Sequence, residues 1–128
     1  MVHCKLIETR ISTIEFDAEG FLVVRQKDDL VANREDFENS INIYQTFFHG
    51  NKFPNLLILG KNNEYSEEAI QYNAPLVQNK LFSAQAIVLK ILAHRLAINF
   101  YNRMHPAAYP QKIFDNEEEA RIWLRQFR

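Results

Sequence analysis

Cysteine occurs once in the 128 residues, at Cys4. That excludes an internal disulfide and any metal site built on several thiolates, and a lone thiol fits a reducing compartment. Glycine occurs three times and proline four times, which excludes collagen, low-complexity linkers and glycine-rich phosphate cradles. No apolar run approaches the roughly 18 residues of a membrane span. The longest, Leu56–Leu59 and Ala86–Leu89, have the length of buried strands. The opening MVHCKLIETR lacks the apolar stretch of about seven residues or more that marks a signal peptide, so the chain reads as cytoplasmic and not membrane-spanning. Neither sign of charge dominates: 15 Lys and Arg face 16 Asp and Glu, for a formal charge of −1. A polybasic nucleic-acid binder and an acidic disordered tail are both excluded as the whole identity, and no nucleic-acid partner is expected.

What is present is the balance of an ordinary globular protein, 47% apolar and 24% charged. The length suits a single domain over residues 1–128, and no linker, repeat or composition shift divides it. Residues Ile11–Phe16 and Phe21–Gln26 flank the turn Asp17-Ala18-Glu19-Gly20 and read as a β-hairpin, with Leu6 and Ile7 able to lengthen its first strand. Asn33 is a helix cap with Glu35 and Asp36 behind it. Phe37, Ile41, Tyr44 and Phe48 then recur on one helical face, and Gly50 is the natural stop. Leu56–Leu59 is apolar on both faces, as a central strand is. Gly60–Tyr65 reads as a polar loop, Ser66 as the cap of a second helix, and Pro75 as the end of that helix.

Ser83–Leu89 is the next strand, followed by a helix over Ile91–Met104 with an inward stripe at Leu92, Leu96, Phe100 and Met104. Gln111–Phe114 is a short strand. Asp115 and Asn116 compete as the cap of the last helix, whose inner face carries Ala120, Trp123, Leu124 and Phe127. The order ββαβαβαβα predicts an α/β fold, a mixed β-sheet entered through an antiparallel hairpin and served by four helices. If all four cover one face there are two layers, and the open face needs polar residues, a partner or a ligand.

The tail PQKIFDNEEEARIWLRQF, with Pro110, Phe114, Glu119, Ala120, Trp123 and Leu124, resembles the end of the SpoIIAA-like group within the STAS-like superfamily. SAQAIVL and LAINFYNRM, including Asn99-Phe100, resemble that group's preceding strand and helix. The resemblance implies a mixed sheet backed by helices and no catalytic machinery. It also implies a regulatory or protein-interaction module, with a phospho-switch serine at the start of the helix after a central strand. Ser66 stands in the comparable place. Its context, GKNNEYSEEA, has no Asp before the serine and no Gly after it, and Glu67 and Glu68 would repel an added phosphate.

Each candidate site has a plain alternative. Ser66 serves equally as an N-cap. Lys90, His94, Arg95 and Arg103 make one helix basic: Lys90 or Arg103 would meet the anionic head of a bound acyl ligand, or all four form a solvated face. His3, Cys4, His49, His94 and His105 are too scattered to read as a metal site, and no cofactor is expected. No G-x-S-x-G occurs, so catalysis is not expected. Aromatics reach 12%. In adjacent pairs only one ring can face inward, so Phe47, Phe100 and Tyr101 either extend the core or line an interface or pocket. Two functions stay open: an interaction module whose protein partner is unknown and which forms a homodimer, or a carrier or sensor of a small apolar ligand.

Overall fold

The turn after Phe16 is made by Asp17. Its carboxylate accepts the backbone N–H groups of Glu19 at 2.9 Å and Phe21 at 3.1 Å, and Gly20 supplies the left-handed φ of 84° that completes the reversal. On either side run β2 (Ser12–Phe16) and β3 (Leu22–Gln26), paired antiparallel. Leu6–Glu8 does not lengthen β2. It is a strand of its own, β1, antiparallel to β2. The cause is Thr9, whose hydroxyl accepts the N–H groups of Ile11 and Ser12 and turns the chain back. The structure is a computed structural model and describes residues 6–72, 80–89, 91, 95, 96, 98, 99, 103 and 107–128.

After β4 (Val31–Ala32), Asn33 caps α1 (Arg34–Gln45). Its side chain accepts from the N–H of Asp36 at 3.0 Å, and the Asp36 carboxylate accepts from the N–H of Asn33 at 2.9 Å. Ser40, Ile41 and Tyr44 face inward. Phe48 does not join that face, because the helix ends at Gln45 and its periodicity ends with it. Phe47 takes the inward place, stacked on Phe16 at 5.4 Å, while Phe48 is exposed.

From α1 the chain enters β5 (Phe53–Ile58), parallel to β3. It continues through β6 (Glu64–Tyr65), α2 (Glu67–Tyr72), β7 (Phe82–Val88), β8 (Gln111–Phe114) and α3 (Glu117–Leu124), and closes with a 3-10 turn at Arg125–Phe127. The six-stranded sheet has the order β1-β2-β3-β5-β7-β8, with β5, β7 and β8 parallel. The stretch expected to be a plain loop holds β6, which pairs parallel with β4 in a small second sheet.

Helices lie on both faces of the main sheet. On one face α1 packs Ile41 and Tyr44 against Ile14, Leu22, Val24, Phe53 and Phe82. On the other α3 packs Ala120 and Leu124 against Phe21, Val23, Leu56, Ala84, Ala86 and Val88, flanked by Trp123 and Phe127. Alternation along β3 sends Leu22 and Val24 one way and Phe21 and Val23 the other. One bulge makes this division work in β7. Phe53 pairs with Phe82 and Pro54 with Ala84, so Ser83 is an extra residue that switches the faces on either side of it. Of the two competing caps for α3, Asn116 is the one used, accepting from the N–H of Glu119 at 2.9 Å.

Arg95, Leu96, Ile98, Asn99 and Arg103 are helical. Leu96, expected on an inward stripe, is 61% exposed. Arg95 and Ile98 are half-buried instead. Arg95 is ion-paired with Asp115, just past β8. Leu92, Phe100 and Met104 lie outside the described residues.

Candidate functional site

Three places concentrate polar groups: the loops that leave β3 and β5, an ion network over the hairpin of β2 and β3, and a row of amides across the sheet.

The two loops are bound to each other. Asn63 donates to the carbonyl of Lys27 at 2.8 Å and accepts from the N–H of Leu30 at 3.2 Å. The N–H of Asp29 donates to the carbonyl of Lys61 at 2.8 Å, and the N–H of Lys61 donates to the Asp28 carboxylate at 2.7 Å. Asp29 and Asn62 both take φ of 57° and are joined side chain to side chain at 2.9 Å. Both residue types tolerate the left-handed region. Ser66 follows directly. Its Oγ accepts from the N–H of Ala69 at 3.1 Å, and its own N–H donates to Ala32 at 2.9 Å. The serine is half-buried and works as the cap of α2. Beside it a shallow open groove is lined by Asn33, Arg34, Glu35, Glu38 and Glu68, with Arg34 paired to Glu38 at 2.7 Å.

The ion network joins α3 to the turn between β2 and β3. Arg121 donates to Asp17 at 2.8 Å, to Glu19 at 2.8 Å and to Glu117 at 2.9 Å. Arg25 holds Glu117 through two bonds of 2.7 and 3.0 Å, and Arg125 holds Glu19 at 2.8 Å. The two bonds from Arg25, with the one from Arg121, hold the Glu117 carboxyl down to about 2. Glu19 is lowered by Arg125 and then Arg121. Burial works against the charge of Arg121, but its bonds to Asp17, Glu117 and Glu19 raise it above its ordinary value.

The sign of the pH dependence follows. Carboxyls depressed in the fold stabilise it in full above their ordinary value near 4.5, and that contribution is lost as the pH falls toward about 2. The melting temperature is therefore expected to fall between about pH 4.5 and 2, less steeply in 1 M salt. A melting temperature flat over that window would contradict the network.

The amide row crosses four strands at one register. Leu22, Asn55, Gln85 and Gln111 are successive partners on β3, β5, β7 and β8. Asn55 Nδ2 donates to the carbonyl of Leu22 at 2.9 Å, Gln85 Nε2 to Asn55 Oδ1 at 2.7 Å, and Gln111 Nε2 to Gln85 Oε1. A backbone carbonyl only accepts, so Asn55 must present its NH2 there, and the direction of each later amide is fixed in turn.

The described serines have structural partners. Ser12 meets Thr9 at 3.1 Å, Ser40 donates to the carbonyl of Asp36, and Ser83 donates to the carbonyl of Phe127. Among the described residues no group of three or more His, Cys, Asp or Glu side chains could hold a metal ion, and no helix is long and apolar enough to cross a membrane. Phe47 sits half-buried in the core under α1, and Arg103 is exposed beside Leu96 and Asn99 on an outer helix face. Lys90, Phe100 and Tyr101, with His94, lie outside the described residues. Sequence reading pointed to neither the long-range bonds of the ion network nor the amide row. Asp17 and Arg121 are 104 residues apart, and lone Asn and Gln carry no motif.

The family profile described as "Domain of unknown function (DUF7793)" matches residues 14–128, from β2 through the last turn. The chain belongs to the DUF7793 family. A search of the curated proteins finds no match for this DUF7793 chain. Among solved structures it is similar to an uncharacterised protein of the DUF3478 family from Shewanella loihica PV-4, described as having a SpoIIAA-like fold. The TM-score is 0.59 at 17% identity, over 95% of this chain and 92% of the other. At that identity the likeness shows the fold: this DUF7793 chain has the SpoIIAA-like α/β architecture that its tail resembles.

Proposed function

We propose that this chain is a non-enzymatic, STAS-like interaction module, acting as one domain in cytoplasmic regulation and meeting proteins through its outer surface. The observation that carries the reading is where the apolar groups stand. The rings of Phe16, Phe47, Phe53, Phe82, Tyr44 and Tyr109 pack on one another under α1, and Phe114, Trp123 and Phe127 pack under α3. The high aromatic content thus serves two cores. Leu6, Val31, Leu96 and Ile122, by contrast, are each more than half exposed. Among the described residues the rings fill cores and do not line a hollow, which supports contact through the surface over capture of a small ligand within. Ser66 belongs to this reading as a cap. A phosphate there would displace the N–H of Ala69 from Oγ and face Glu67 and Glu68.

Native mass spectrometry of the protein purified from its own host tests the proposal, together with melting in the presence of medium- and long-chain fatty acids. The expected result is the mass of the chain or its assemblies, with no small bound mass and no thermal shift. A stoichiometric co-purified acyl compound would overturn the reading in favour of a carrier.

A further inference from the structure

We draw no further inference here: the strongest candidate, the outer edge of β8 (Gln111–Phe114) with the half-buried Gln111 that ends the amide row, carries nothing, because among the described residues nothing shows what covers it.

Discussion

Replacing Arg121 by methionine is expected to lower the stability of the fold by about 3 kcal/mol, on the order of 10 °C in melting temperature. Methionine keeps most of the packing over the ring of Phe21, which the guanidinium covers at 5.8 Å. What is lost is the charge among three carboxylates. Glu117 retains Arg25 and Glu19 retains Arg125. Asp17 retains no cation, and its side chain is only 12% exposed. An unpaired charge at such a site costs more than the pair contributed. Adding Asp17→Asn should therefore recover part of the loss, since the amide oxygen still accepts from Glu19 and Phe21. Urea titration of the single and double variants reads both effects. A loss below about 0.5 kcal/mol for Arg121→Met, the size of an exposed pair, would contradict the network.

The second large effect is expected at Gly60. A Cβ there would lie 2.2 Å from the carbonyl oxygen of Lys27 and 2.6 Å from Nδ2 of Asn63. The first is backbone and cannot step aside, so Gly60→Ala must push the two loops apart and break the bonds of Asn63 that join them. The expected cost is about 2–4 kcal/mol, with faster amide exchange across residues 28–32 and 61–66. Gly50→Ala is the contrast. It has φ of 93° but open space, and should cost only about 1–2 kcal/mol. Equal effects at the two glycines would show that the loops are not held together as described.

Local chemistry made much of the fold legible in the sequence. Asn33, Asn116 and Asp17 act on neighbours within four residues, and β3, β7 and β8 follow from their apolar runs. The turn at Thr9 is local as well, its hydroxyl holding Ile11 and Ser12, but a lone Thr is a weaker turn signal than Asp or Gly. The rest of what stayed hidden depends on distant partners: nothing in the pattern around Leu96 announces that Arg95 is paired with Asp115. The closure of both faces was hidden for the same reason. It needs Leu22 and Phe21, adjacent in sequence, to serve different helices. Ser66 was legible as a cap because capping is local. The amide row was not, because register across parallel strands is a tertiary fact.

The measurement that goes most directly to the central claim is a set of methyl and methine cross-peaks by nuclear Overhauser spectroscopy. A sheet closed on both faces, leaving function to edge and surface, is expected to give contacts between Val24 and Ile41 and between Ala86 and Leu124, with none between Ile41 and Leu124. Direct contacts between Ile41 and Leu124 would place both helices on one face, open the other, and contradict the account.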